Sequence, residues 1–368
     1  MSAKSTPEPG IRRHRSRGRR KARGRRGSLA VAAWVAAGVV VLGGAGAGFL
    51  YLKLNGNITS VDINQVLGTD RPAKPGNGSE NILVLGSDTR SGANKELGGG
   101  PDDGSARSDT AMVVHVYEGR EKATVVSIPR DTLIDRPECT DARGVTHDAA
   151  RRVMFNSAYS TGGAPCAVKT VESLTGIRMD HYLEVDFSGF RKLIDELGGV
   201  EITTTKDIDD PDSHLRLKAG THTLDGEQAL GLVRTRHGVG DGSDLGRIQL
   251  QQAFVKALIE RVDHIGVLTS PKKLYDLADA ATKAVTTDSD LGSVTSLMSF
   301  ADGLKGIGAD NMTMITLPVR YDADDPNRVV VVPAKARQVW TALKHDRPVP
   351  GTATEGTATG DARGVATP

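Results

Sequence analysis

A layered α/β fold is expected for this chain of 368 residues, on three features of its sequence. NILVLGSD from Asn81, DTAMVVHVYE from Asp109 and KATVVSIPRD from Lys122 are Val- and Ile-rich runs of strand length, each ending in polar residues as buried strands do. FSGFRKLIDELGG from Phe187 and GRIQLQQAFVKALIERV from Gly246 carry apolar residues at helical spacing, and the first stops at Gly198-Gly199. Strands interleaved with helices, without an internal repeat, favour a sheet covered by helices.

In chain order, the first element is a basic tail. The formal charge of +2 averages two regions of opposite sign, because residues 1–26 hold eleven basic residues against one acid and the remainder is net acidic. LAVAAWVAAGVVVLGGAGAGFLYL (29–52) follows, 24 residues without a charge. At 1.5 Å per residue it reaches roughly 36 Å, enough for a bilayer core of about 30 Å. It exceeds the apolar length of a cleaved signal peptide, so a retained anchor is expected. The basic residues before it place 1–28 in the cytoplasm and everything after Lys53 outside, as a single-pass membrane protein.

Residues 53–79, with Pro72, Pro75 and a GNGS run, read as an extracytoplasmic linker. Residues 80–346 form the expected single domain. The tail 347–368, rich in Gly, Thr and Ala, is expected to be disordered. Cys139 and Cys166 fall in the part placed outside, where an isolated pair is expected to be a disulfide. Segments that follow Ile177 and Gln252 are candidate walls for an apolar slot, although core packing explains the same residues.

Charged residues gather where the three strand runs end. Gly86-Ser87-Asp88-Thr89-Arg90 closes the first, Arg107-Ser108-Asp109-Thr110 opens the second, and Ile128-Pro129-Arg130-Asp131 closes the third. In open α/β sheets ligands collect beyond strand ends. A later group is LVRTRH (232–237), then Asp244, Arg247 and Gln251. Read as a strand, LVRTRH puts Arg234 and Arg236 on one face, a costly arrangement without an anion between them. Arg247 and Gln251 are one helical turn apart. Converging guanidiniums suit a phosphate or pyrophosphate. Asp88 and Asp109 suit a Mg²⁺ ion, with Mn²⁺ as the alternative, that would bridge such an anion. The chain has no GxxxxGK[ST], GxSxG or HExxH, which removes the usual parts of a P-loop ATPase, a serine esterase and a zinc protease. DIDDPDSH (207–214) lacks the central Gly and closing Glu of an EF-hand loop and reads as an acidic turn.

NILVLGSDTR, ARSDTAMVVH, VSIPRDT, FNSAYSTGG, VESLTGIRMDHYLEVDFSGF, LIDELGGV, LDGEQALGLVRTRH and DLGRIQLQQAF, in this order, resemble the LytR-CpsA-Psr family of cell-wall glycopolymer ligases across 80–346. The resemblance implies a three-layer α/β/α sandwich. It also implies a polyprenyl-pyrophosphate-linked glycopolymer as donor, peptidoglycan as acceptor through the muramic acid 6-hydroxyl, and polyprenyl phosphate as the leaving product. On the matching positions, Asp88 and Asp109 are the metal ligands and Arg107, Arg130, Arg234, Arg236 and Arg247 bind phosphate. Gln251 is a site glutamine, and Arg90 and Asp131 lie inside the motifs. Asp131 or Asp244 is the expected proton acceptor.

Three departures from the family pattern stand out: Met154-Phe155-Asn156 where many members carry a lysine, leaving Arg151 or Arg152 as replacements; Leu250 where many carry arginine; and 21 positions between Asp88 and Asp109, with a Gly-rich insert Gly92–Gly104. Two other functions compete. A transcriptional attenuator would use the basic tail on nucleic acid, but an anchor beside that tail is better explained by topology and anionic lipid. A noncatalytic wall-binding or polyprenyl-phosphate-binding protein would need the arginines but not the paired aspartates.

Overall fold

The structure is a computed structural model that describes residues 46–87, 108–237, 239–264, 270–360 and 364–368. Its centre is a mixed sheet of seven strands, in the order Thr59–Val61, Val285–Asp288, His181–Asp186, Glu80–Ser87, Ser108–Val116, Ala123–Ser127, Met312–Thr316. The three runs read as strands are neighbours in it, each paired antiparallel with the next. Ser87 lies opposite both Ser108 and Asp186, and Ser127 lies opposite Met112 and Thr316. Four strand ends and the start of Ser108–Val116 therefore meet at one edge, and the charged motifs continue from that edge.

Period-two alternation divides the strand side chains between two apolar layers. Leu83, Leu85 and Val113 face helices Asn156–Thr175 and Pro333–Lys344, which contribute Val168, Val171, Val339 and Trp340. Ile82, Val116 and Ala123 face the other way, against Ile307 and the half-buried Phe300 and Leu304 of helix Val294–Leu304. The chain is a mixed α/β protein. A further core joins strands Val200–Thr204 and Gly220–Leu224 to helices Phe187–Glu196, Gly226–Arg234 and Asp244–His264 through Ile194, Ile202, Leu232, Leu250 and Phe254. Two glycines let helix Phe187–Glu196 approach its neighbours closely, Gly226–Arg234 on one side and Pro271–Ala284 on the other. A Cβ on Gly226 would sit 2.2 Å from the Arg191 carbonyl oxygen, and one on Gly189 would sit 2.4 Å from Ala284 Cα.

Three expectations need correction. Residues 53–79 are not merely a linker: Thr59–Val61 adds a parallel edge strand beside Val285–Asp288, and Ile63 and Leu67 are buried in the core. Nor is the tail 347–368 without structure where it is described. Ala353 is fully buried, Val365 and Ala366 are buried, and Ala366–Thr367 pairs with Thr203 and Thr204. Gly and Thr rarely nucleate structure alone, yet here they find a ready strand edge. Finally, LVRTRH is not a strand. Asp225 and Gln228 form a capping box that starts helix Gly226–Arg234, so the alternation at 232–237 spans a helix end and the loop after it.

The Cys139–Cys166 disulfide is formed, with Cα atoms 5.3 Å apart, and ties the Cys139–Thr140 strand to helix Asn156–Thr175. Residues 46–55 are helical, with Phe49, Leu50, Tyr51 and Leu52 exposed. Most of the expected anchor lies outside the described residues, and among those described no helix is long and apolar enough to cross a membrane.

Candidate active site

The site is assembled where helix Asp244–His264 docks its first turns on the sheet edge. Arg247 donates through Nη2 to the Asp109 carbonyl at 2.8 Å. One turn later the Gln251 amide donates to Thr110 Oγ1 and to the Val233 carbonyl, each at 2.9 Å. Asp244 sits in the first turn, where the helix dipole favours an acid, and its Oδ2 accepts the Arg130 backbone N–H at 3.2 Å. Strand Ser108–Val116, the loop at Arg130 and the helix are thereby fixed to one another. Gln251 and Arg247 are both buried, so the glutamine orients its neighbours rather than presenting its amide to solvent.

Charges alternate through this contact. Asp109 accepts a short hydrogen bond from Arg130 Nη1. Asp244 Oδ1 pairs closely with Arg247 Nη2 and lies 3.4 Å from Arg130 Nε, and Asp131 Oδ2 is 3.6 Å from the same Nε. Among the described residues, the buried Nε–H groups of Arg130 and Arg247 and the Asp244 Oδ1 beside them lack a well-aligned hydrogen bond, although Arg130 Nε keeps two carboxylates at ion-pair distance. Buried groups left short of ideal partners are costly.

The ionisation behaviour agrees. Burial would raise the Asp109 carboxyl, but the charges of Arg130 and Arg247 outweigh it and hold the group below its ordinary value. Arg236 shows the reverse. Burial and then the like charges of Arg247 and Arg130 pull its guanidinium below the ordinary arginine value, with Asp109 and Asp244 only partly offsetting them. Among the described residues no carboxylate lies within 4.0 Å of that guanidinium. Asp131 is raised, by burial first and by the nearby Asp244 second, against the pull of Arg130 and Arg328.

Two cavities flank this charged wall. One, of about 500 Å³, is lined by Asp109, Phe187, Arg234, Arg236, Arg247 and Gln251. The Arg234 guanidinium lies 5.3 Å from the centre of the Phe187 ring. The second, of about 540 Å³, is lined by Arg130, Asp131, Arg236, Asp244, Tyr321 and Arg328. Arg236 borders both. The sequence-predicted residues Asp109, Arg130, Asp131, Arg234, Arg236, Asp244, Arg247 and Gln251 are thus brought together. Asp88, Arg90 and Arg107, with the insert Gly92–Gly104, lie outside the described residues.

The structure also bears on the departures from the family pattern. Arg152 pairs with Asp322 at 3.0 Å and its backbone N–H donates to Asp135, so it is engaged outside the two cavities, while Arg151 is exposed. Leu250 is fully buried in the core instead of lining the site. Arg328 was not anticipated: it lies 3.4 Å from Asp131. No motif marks it, and only the parallel pairing of Val329 with Thr132 brings the two side by side. The acidic turn behaves as expected. Asp210, Asp212 and His237 bring potential ligand atoms within 4.8 Å of one another. Asp210 nevertheless accepts the backbone N–H groups of Arg236, His237 and Asp212 at 2.7, 3.0 and 3.0 Å, a structural use of its charge that holds Arg236 in place.

Comparison with known proteins bears on the family of the chain. The profile of the LytR_cpsA_psr family matches residues 50–345. The cell wall biosynthesis protein LcpA of Corynebacterium glutamicum is 36% identical over an alignment of 307 positions that covers 76% of this chain and 58% of that protein. The chain spans a little over half the length of its corynebacterial relatives. The polyisoprenyl-teichoic acid–peptidoglycan teichoic acid transferase TagT of Bacillus subtilis is 30% identical over 310 residues, covering 81% of this chain and 89% of TagT. A structure of TagT bound to LI-WTA superposes with a TM-score of 0.56 at 25% identity, over 78% of this chain and 98% of the other. This chain therefore belongs to the LytR_cpsA_psr family.

Proposed function

We propose that this chain is a membrane-anchored phosphotransferase that moves a polyprenyl-pyrophosphate-linked anionic glycopolymer onto peptidoglycan. It would form a phosphodiester at the muramic acid 6-hydroxyl and release polyprenyl phosphate. Arg236 carries the reading: a half-buried guanidinium crowded by other arginines and, among the described residues, without a carboxylate of its own calls for a multiply charged anion between Arg234, Arg236 and Arg247. TagT, whose name describes teichoic acid transfer from a polyisoprenyl carrier to peptidoglycan, brings the reaction class.

The donor's isoprenoid needs an apolar slot. The helices suggested from the sequence bury Ile194 and Phe254 in the core. A better candidate is the seam under helix Val294–Leu304, none of whose residues is buried. Its half-buried Phe300 and Leu304 lie over Val84, Val114, Leu183 and Met312, themselves only partly buried. The domain, read as an α/β/α sandwich, would face the outside of the cell behind the anchor 29–52.

Asp109 fits a Mg²⁺ or Mn²⁺ site. One of its carboxylate oxygens takes Arg130, no hydrogen bond from the described residues reaches the other, and the surrounding cations keep the group ionised. Asp109, with Asp88 from outside the described residues, would hold the ion, and when bound it would neutralise diphosphate charge. The arginines orient the diphosphate and stabilise the charge that builds as the bridging bond breaks. Asp131 is favoured over Asp244 as proton acceptor, because Asp244 is committed to Arg247 and to the Arg130 backbone. Without acceptor, water would take the hydroxyl's place, giving slow pyrophosphate hydrolysis.

Full-length protein in detergent, supplied with Mg²⁺, lipid-linked glycopolymers and peptidoglycan, should release polyprenyl phosphate detectable by mass spectrometry. Release should require the divalent ion and be much faster with acceptor than without it. No release with any donor class would overturn the proposal.

A further inference from the structure

The cavity around Asp131 has features that diphosphate binding does not require. It is bounded on its outer side by hairpin Val319–Tyr321 and Val329–Val331, whose second strand runs parallel to Thr132–Arg136. This register sets Arg328 beside Asp131, with the guanidinium Nη1 3.4 Å from Asp131 Oδ1. Tyr321 stands on the hairpin's other strand, its hydroxyl donating a short hydrogen bond to Asp241 while the residue stays 40% exposed. Asn327 completes the rim. An aromatic face held in position yet open to solvent, ringed by a carboxylate, an amide and a guanidinium, is what a sugar needs: C–H groups lie on the ring while hydroxyls and acyl groups find hydrogen bonds. Arg328 adds a cation on the other oxygen of Asp131 from Arg130.

We propose that this cavity is the acceptor subsite. It takes an amino-sugar glycan that carries a carboxylate, with Tyr321 under the sugar ring, Asn327 and Asp241 on its substituents and Arg328 on its carboxylate. The inference rests on the phosphotransferase reading and adds which surface selects the acceptor. Because Arg236 borders both cavities, a hydroxyl entering here approaches the donor beside that side chain, along the charged wall. The acceptor oxygen forms the new bond to the phosphorus nearest the polymer. The bond from that phosphorus to the bridging oxygen breaks, the electron pair leaves on polyprenyl phosphate, and the hydroxyl proton passes to the Asp131 carboxylate.

Direct binding separates this inference from the reading beneath it. By calorimetry on the full chain without donor, a soluble carboxylate-bearing glycan oligomer from digested peptidoglycan should bind more tightly than a neutral chitin oligomer of equal length. Tyr321→Ala should weaken both about tenfold, Tyr321→Phe should retain most of the affinity, and Arg328→Ala should abolish the preference for the charged glycan. Affinity for a short-chain prenyl diphosphate should stay within about twofold of wild type in all three. Arg328→Lys, which keeps the charge, and melting curves for each variant separate loss of contact from misfolding. Equal glycan affinity in wild type and Tyr321→Ala, or a matching loss of prenyl diphosphate affinity, would overturn the subsite. Intact glycan binding by a protein that never releases polyprenyl phosphate would leave the subsite standing and remove the phosphotransferase reading.

Discussion

Two buried arginine–aspartate or arginine–glutamate groups in this molecule behave in opposite ways. Arg71 and Glu172 form a closed set. Their side chains are 1% and 4% exposed, Arg71 reaches both carboxylate oxygens, and its remaining donors go to Asn64 and the Met179 carbonyl. Glu172 also accepts the Met179 N–H at 2.9 Å. At the sheet edge, by contrast, the described residues leave the Nε–H groups of Arg130 and Arg247 and the Asp244 Oδ1 without well-aligned hydrogen bonds, and Arg236 has arginines rather than a carboxylate as its dominant charged neighbours. A buried ion group with matched donors and acceptors is architecture. One with crowded, uncompensated cations is suited to take up an anion.

The sharpest way to break this comparison is to remove a side chain from each group. Arg236→Ala should lower polyprenyl phosphate release by about 10²–10³-fold, the scale for losing one preorganised donor. Its melting temperature should not fall, since removing a crowded cation relieves repulsion; a large drop would place Arg236 among the structural ion pairs. Glu172→Gln should do the converse. Leaving Arg71 buried without a full partner should cost about 3 kcal/mol in denaturant unfolding, with the turnover of the remaining folded protein unchanged.

A third pair sharpens the contrast by pH. At the opposite end of the sheet from the arginines, His181 Nδ1 lies 3.2 Å from Asp288, whose carboxylate also takes the Tyr182, Asp290 and Leu291 N–H groups. Burial alone would lower the imidazole, but the hydrogen bond and charge of Asp288 outweigh it and raise His181 above its ordinary value. A raised folded-state value means that protonated His181 stabilises the fold fully below the unfolded value, about pH 6.5, and that this contribution fades as pH rises through the higher folded value. His181→Gln should therefore melt roughly 2 °C below wild type at pH 5.5, with the gap closing in alkaline buffer. A gap that widens with pH would show that the pair does not act as a charged one.

How much of this was legible in the sequence depends on what each residue needed to declare itself. Strands Glu80–Ser87, Ser108–Val116 and Ala123–Ser127 announce themselves through continuous apolar runs, and helix Phe187–Glu196 through its period and its terminal glycines. The charged residues at their ends were legible because strand ends of a sheet converge. Thr59–Val61 and Ala366–Thr367 were not, since three or two residues of ordinary composition become strands only when a partner edge is already present. Arg234 and Arg236 do line one cavity together, though not on the strand that their alternation suggests, because six residues of alternation fit a strand and a helix end equally well. Arg328 and Tyr321 carry no local signal: their significance comes from a hairpin that packs nearly two hundred residues away from Asp131 in sequence.

The close approach at Gly189 and Gly226 has a consequence for how this protein can change over evolution. The helix that ends in Arg234 abuts the one that begins with Phe187 at Gly226, and the latter abuts helix Pro271–Ala284 at Gly189; at each glycine there is room for a hydrogen but not for a methyl group. The spacing of three helices is thus set by two positions that carry no charge. The surface of these helices can vary, but a single added carbon at either glycine would push two helices apart while every ionisable residue remained intact.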